Sequence, residues 1–393
     1  MFQRFALLMF VNYATQGAFL PLFSLRLQEL GFNSVEIGWC CAAQALASLV
    51  GPLVAGQVAD RYLPARRCLS VCALIAGVLF LVLSDLTSPL SVFLTALAIW
   101  LVLGPANTLC VTLCFSHLPH PERSYGPVRL WGTAGWVAAG WLVGIWYWVR
   151  DGLVELGWET SAGDLRDIFR WAALLAFLLS AYGFTLPNTA PREAGGHWLA
   201  PLAAWRQLRG RAFRVFWICS FGICVSIPFV IQLLPLFLEH LGLPRPWLSP
   251  ILTLSQSIEM LSLGLLPMIL LRLGLRGTLL MGLLAWAAYL GVLTLGQPIW
   301  LVVASLSLNG LCISCYIVAG QVFINSRAHG DVRASAQALL VFVNGLGMAT
   351  GNLLVGVLRR EFDGAFLPTF AVGTAITLAL ATLFFIGFKG ERL

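Results

Sequence analysis

The sequence predicts an all-α membrane protein with twelve transmembrane helices in two pseudo-symmetric six-helix bundles. Four observations predict it. Only 10% of the 393 residues are charged while 59% are hydrophobic, too few polar groups to coat a soluble particle, where about a quarter of residues are charged. The apolar residues fall in runs of about 20, the length that crosses a bilayer as a helix. Strand-like alternation is absent, which excludes a barrel. Finally, a polar, basic stretch cuts the chain near its midpoint.

The runs lie at about 5–25, 36–58, 68–86, 90–115, 128–149, 169–187, 213–238, 248–271, 277–295, 299–324, 335–357 and 367–388. The first begins like a secretion signal but has no Ala-x-Ala-like cleavage site, so it reads as a retained span. Two connections are long, from Arg150 to Ile168 and from Pro187 to Ala212. The second carries Pro191, Gly195, Gly196 and Pro201 and then Arg206, Arg209, Arg211 and Arg214. It divides the chain into an N-terminal bundle at 1–187, a linker at 188–212 and a C-terminal bundle at 213–393, the organisation of two repeated halves.

Net charge is +7, and of the 24 cationic residues only Lys389 is lysine. The arginines cluster in short loops between runs, where they set topology and do not form a nucleic-acid surface. With the N-terminus inside, 17 cations face inward and seven outward (Arg26, Arg150, Arg166, Arg170, Arg245, Arg359 and Arg360). Positive-inside bias therefore predicts two cytoplasmic termini and an even number of spans. The ten cysteines all fall within apolar runs and read as small core residues. Cys312-x-x-Cys315 lacks the further ligands of a zinc site.

No catalytic or nucleotide-binding motif is present, and the five histidines lie at loops or span ends. These features argue against an enzyme and against primary active transport, and imply no cofactor or metal. A gradient-driven carrier, a channel or a structural membrane protein remains, with a monomer expected and the lipid bilayer as its surroundings.

Buried charge discriminates among these. Glu259 lies near the middle of run eight, on one helical face with Thr253 and Gln256. An intramembrane acid is costly unless it meets a cavity or partner. Desolvation favours its protonated form, which suits proton coupling. The structural alternative is a carboxyl bonded to a neighbouring helix. Arg129, Thr133 and Trp136 are spaced i, i+4 and i+7, so one face of run five offers a cation, a hydroxyl and an aromatic plate. That set suits a polar, ring-bearing solute. The alternative is an arginine snorkelling to headgroups.

Further polar residues inside runs are Asn12 and Gln16, Gln44, Asn107 and Thr108, Gln232, Asn309, Tyr316, Gln321, Gln337 and Asn344. Individually they also serve as glue between helices. As a group they suit neutral, hydrogen-bonding cargo; Gln16, Asn107, Gln232, Tyr316 and Asn344 join Arg129, Thr133, Trp136, Gln256 and Glu259 as candidate substrate contacts.

Gly56-Gln57-Val58-Ala59-Asp60-Arg61, followed by Arg66-Arg67, resembles the loop signature of the major facilitator superfamily, with a longer spacing to the basic pair. The resemblance implies a gating role for Asp60, Arg61, Arg66 and Arg67. Three further segments narrow the match: Tyr125 to Thr133, Ser255-Gln256-Ser257-Ile258-Glu259, and Arg333 to Gln337 continuing to Asn344-Gly345-Leu346-Gly347. Together they resemble the nucleoside:proton symporter family. The resemblance implies import of nucleosides or similar ring-bearing solutes with protons across a bacterial inner membrane. It implies solute contact or proton coupling at Arg129, Thr133, Trp136, Gln256 and Glu259, with proton coupling at Glu259 and Arg129.

There are departures. Trp136 stands where that family usually has Phe, Ser314 where some members carry an acid, and apolar residues near Pro228 and Ile231 where some use amides. Glu259 is thus left as the main protonatable residue. The N-terminal half, with Gly17-Ala18-Phe19-Leu20-Pro21 and Val128 to Gly132, also resembles the phenylpropionate and oligosaccharide symporters, the alternative among carriers.

Overall fold

A computed structural model describes residues 1–59, 64–118, 121–156, 164–187, 210–327 and 333–388. These residues form twelve helical rods: α1 (Phe2–Glu29), α2 (Ser34–Ala59), α3 (Ala65–Asp85), α4 (Pro89–His117), α5 (Pro121–Glu155), α6 (Asp167–Gly183), α7 (Arg211–His240), α8 (245–273), α9 (275–295), α10 (Ile299–Arg327), α11 (Arg333–Glu361) and α12 (Phe366–Gly387). Each matches one predicted run. Eight of the stretches are long and apolar enough to cross a membrane, the one from Arg245 to Leu295 holding both α8 and α9.

Several rods are interrupted where the sequence cannot sustain regular i→i−4 bonding. Pro21 lies in a tight 3₁₀ turn in α1. Around Pro228, α7 breaks into Arg211–Ser226, Pro228–Ile231 and Leu234–His240, because proline has no N–H to donate. The α8–α9 turn rests on Gly274 at φ +64, a conformation glycine adopts without a Cβ penalty. In α10, Ile313–Val318 forms a π-helical turn, a feature often found at functional sites.

The helices group into two compact units, Met1–Ala194 with Pro235–Thr253, and Gly195–Leu234 with Leu254–Leu393. In the first unit, α1 packs on α5 by close backbone approach. A methyl placed on Gly135 would lie 2.1 Å from the Phe10 carbonyl oxygen, and one on Gly17 would lie 2.8 Å from that of Trp136. Without a hydrophobic driving force between helices in lipid, such small-residue contacts supply the packing. Gly135→Ala is expected to cost about 1–3 kcal/mol by overpacking, read as a lower unfolding temperature of the purified protein.

An ionic cluster gathers at one end of this unit. Arg26 Nη1 donates to Glu29 Oε2 and Asp164 Oδ1, both at 2.7 Å. Arg245 donates to Glu239 at 2.6 Å and Glu29 at 3.0 Å, and Arg150 to Asp167 at 2.7 Å. These residues come from the ends of α1, α5, α6, α7 and α8, the end that the arginine count assigns to the outside. The segment 235–253 is seated there by Arg245, by the Trp148–Trp247 ring contact at 4.9 Å and by Pro250 against Gly144.

In the second unit, Phe216, Tyr316, Phe323, Phe384 and Phe388 are buried. Trp286 Nε1 donates to Ser226 Oγ at 2.7 Å, giving a buried indole the partner it needs. Large apolar side chains such as Leu261, Leu271 and Ile386 stay exposed, as expected of surfaces solvated by acyl chains.

Candidate functional site

Each unit carries its own polar constellation. In the first, α1, α4 and α5 supply it. Asn107 Oδ1 accepts from Asn12 Nδ2 at 2.7 Å and from Gln16 Nε2 at 3.0 Å. Asn12 and Gln16, one helical turn apart, both reach α4 because they share a face of α1. Asn12 and Gln16 are buried, and Asn107 is half-buried.

Beside this trio the Arg129 guanidinium lies over the Tyr13 ring, 4.2 Å from its centroid. Gly132 makes room for the stack, since a Cβ there would sit 2.7 Å from Tyr13 Cδ2 and 3.0 Å from Arg129 Nη1. A desolvated guanidinium gains about 2 kcal/mol from such a ring face. Arg129 makes no ion pair among the described residues, and it is half-buried, as are Thr133 and Trp136. Tyr13 is the residue that sequence reasoning missed. Its signal was available: an aromatic with a hydroxyl, three residues before Gln16 and next to Asn12.

In the second unit, Gln256 and Glu259 are half-buried on α8. Gly310 brings α10 against the α8 backbone; a Cβ on it would meet the Glu259 nitrogen at 2.5 Å. Asn309 Nδ2 donates to Ser255 Oγ, and Ser314 Oγ reaches the Glu259 carbonyl oxygen at 3.5 Å. Ser314 thus stands beside the backbone of the acid, within the π-helical turn. Asn344 on α11 is half-buried, and Gln232 is buried at the second break of α7.

Four buried side-chain amide oxygens, those of Asn12, Gln232, Gln256 and Asn344, have no hydrogen-bond partner among the described residues. All four belong to residues singled out from the sequence. Leaving such an oxygen unpaired in an apolar setting costs about 1–3 kcal/mol, so these positions are chemically primed to accept bonds from water or cargo.

Other predicted residues go elsewhere. Tyr316 is 1% exposed; its hydroxyl lies 3.4 Å from Ser220 Oγ and its ring stacks on Phe216. Gln337 Nε2 donates to the Gln321 carbonyl oxygen at 2.9 Å, joining two helices. Thr108 bonds back to the Gly104 carbonyl oxygen, and Gln44 is half-buried on α2.

α8 is interrupted at Thr253, three residues before Gln256. Thr253 forms a turn between Arg245–Leu252 and the helix that starts at Leu254. Its hydroxyl donates to the Pro250 carbonyl oxygen at 2.6 Å, and its methyl packs against Gly140 in the first unit. Thr253 keeps a right-handed helical conformation, and its amide donates to the Ser249 and Pro250 carbonyl oxygens at 3.3 and 3.1 Å.

Of the gating residues, Asp60 and Arg61 lie outside the described residues. Arg66 Nη1 donates to the Leu186 carbonyl oxygen at 3.0 Å, tying the start of α3 to the segment after α6. Arg67 is exposed.

Comparison with known proteins shows the fold and the family. The chain is 27% identical to the putative nucleoside transporter YegT of Escherichia coli K12, covering 98% of this chain and 93% of that protein. It is 28% identical to the xanthosine permease of the same organism, covering 98% and 95%. Among solved structures, the nucleoside transporter NupG superposes with a TM-score of 0.86 at 22% identity, over 99% of both chains. The D-xylose-proton symporter follows at 0.73 and 16% identity, over 99% and 98%. The fold is therefore that of the major facilitator transporters. The family model described as nucleoside H+ symporter matches residues 1–392, and the chain belongs to that family.

Proposed function

We propose that this protein imports a nucleoside together with a proton by alternating access, with both termini in the cytoplasm. The observation that carries the reading is the Arg129–Tyr13 stack beside the Asn12–Gln16–Asn107 trio. It offers a flat cationic plate and amide hydrogen-bonding groups, matching a heteroaromatic base with donors and acceptors along its edge. YegT, the xanthosine permease and NupG carry names that denote the same cargo class.

In this reading Arg129, Thr133 and Trp136 contact the solute from the first unit, and Gln256 and Glu259 from the second. Unpartnered amide oxygens of Asn12, Gln232, Gln256 and Asn344 accept from its N–H and hydroxyl groups. Glu259 takes a proton from the outside. Solute and proton are carried together through the switch between facing states, and proton release inside resets the carrier. Only differential affinity for the two states can drive that switch. The excess of arginine at the ends assigned to the inside supports the orientation.

A ligand screen by thermal unfolding tests the cargo. A nucleoside at a hundredfold excess over its Kd is expected to stabilise the folded state by about 2.7 kcal/mol. Stabilisation by sugars or aromatic acids alone would retire the nucleoside reading and favour the alternative carriers. Saturable counterflow in proteoliposomes separates a carrier from a channel.

A further inference from the structure

A second polar feature of the second unit lies where several of its helices begin and end. The starts of α7 and α9 and the ends of α10 and α12 surround a cavity of about 360 Å³. Three arginines line it, Arg211, Arg276 and Arg327, and no carboxylate is among the described residues that line it. Its apolar wall is aromatic: Phe213 and Phe323 stack at 5.3 Å, and Phe388 meets Phe323 edge-on at 5.6 Å.

The arginines are arranged differently. Arg276 is held by a 2.7 Å bond from Nη2 to the Phe385 carbonyl oxygen, which leaves most of its five donors for other acceptors. Arg211 is exposed and opens α7, whose N-cap is Gly210, without a side-chain oxygen to cap the helix. The first amides of α7 therefore lack both an intrahelical acceptor and a side-chain cap. They border the same cavity as the three guanidinium groups.

The combination of excess positive charge and an aromatic wall asks for an anion attached to something apolar. The immediate surroundings say where such a molecule would come from. Phe385 and Ile386, just before the lining residues Gly387 and Phe388, are 60% and 62% exposed. An apolar surface of that kind is solvated by acyl chains, so the cavity opens where a helix leaves the lipid-facing zone. We infer that this cavity binds the phosphate of an anionic phospholipid, with Arg211, Arg276 and Arg327 on the headgroup and the phenylalanines against its glycerol and upper chain. Basic pockets between helix ends on the inner side of a membrane recognise lipid headgroups by this chemistry.

The same arginines would also take a free phosphate ion, and the test separates the two. Purified protein in detergent is titrated with phosphatidylglycerol, with phosphatidylcholine and with inorganic phosphate, and the unfolding temperature is followed. Native mass spectrometry counts retained lipid in parallel. Phosphatidylglycerol is expected to stabilise the protein and be retained, and phosphatidylcholine is not. Each of Arg211→Gln and Arg327→Gln is expected to weaken phosphatidylglycerol binding about fivefold, from roughly 1 kcal/mol per cation near the surface. The double variant loses most of the response.

Arg211→Lys and Arg327→Lys keep the charge and are expected to keep most of the binding, which separates recognition from a folding defect. Because Arg211 is exposed at a helix start, its glutamine variant stays informative even if Arg327→Gln does not fold. An arginine-dependent shift of equal size with inorganic phosphate would replace the lipid by a free anion. A phosphatidylglycerol response that persists in the glutamine variants, or none in the wild type, would overturn the site. None of these readouts involves solute transport, so failure here leaves the nucleoside reading intact.

Discussion

Glu259→Gln is expected to abolish uphill accumulation of nucleoside in proteoliposomes while solute exchange continues. Glutamine keeps the size and hydrogen-bonding ends of the side chain but neither gains nor loses a proton. A proton carried down a membrane potential releases about 2.3 kcal/mol per 100 mV. That equals about a 40-fold concentration ratio for each 100 mV, since 1.4 kcal/mol is tenfold. The variant is therefore expected to let the internal concentration rise only to the external one. The position supports the expectation: Glu259 is half-buried on α8, its backbone pressed on Gly310 and approached by Ser314 of α10. Accumulation at the wild-type level in Glu259→Gln would remove the residue from the coupling step.

The second large effect is at Arg129. Hydrogen bonds to charged groups contribute about 1.5–3 kcal/mol, so Arg129→Gln is expected to weaken solute binding roughly 10- to 150-fold. Arg129→Lys is expected to recover little of this. Lysine keeps the charge but loses the planar fork and the plate that lies 4.2 Å over Tyr13. Tyr13→Phe, which keeps the ring, is expected to be milder than Tyr13→Leu. Equilibrium binding or the concentration dependence of counterflow reads all four variants. Full activity in Arg129→Lys would reduce Arg129 to a charge that anchors α5 at the headgroups.

Much of the architecture was legible in one dimension. The runs at 169–187 and 367–388, for example, correspond to Asp167–Gly183 and Phe366–Gly387. The shortest, α6 with 17 residues, was still visible because its flanks are charged. The polar residues were harder. Asn12 and Gln16 could be placed on one face from their spacing, yet their acceptor Asn107 is 95 and 91 residues away. Tyr316 looked like Asn309 and Gln321, polar residues in the same apolar run. Its hydroxyl instead faces Ser220 in a buried aromatic packing, a role set by a helix nearly a hundred residues earlier.

Sequence alone determined the twelve spans, the crowding of arginine in short loops and the one acid in the middle of α8. These follow from the cost of exposing backbone or charge to lipid, a cost that each segment meets by itself whatever its neighbours are. The tertiary structure decided which polar groups pair and which keep an oxygen open, that Tyr13 lies under Arg129, and that 235–253 joins the first unit through Arg245 and Glu29. Hydrogen bonds and ring contacts act over a few ångströms between side chains. Which side chains come that close depends on how helices distant in sequence are packed, on the glycines that let them approach and on the breaks that turn them.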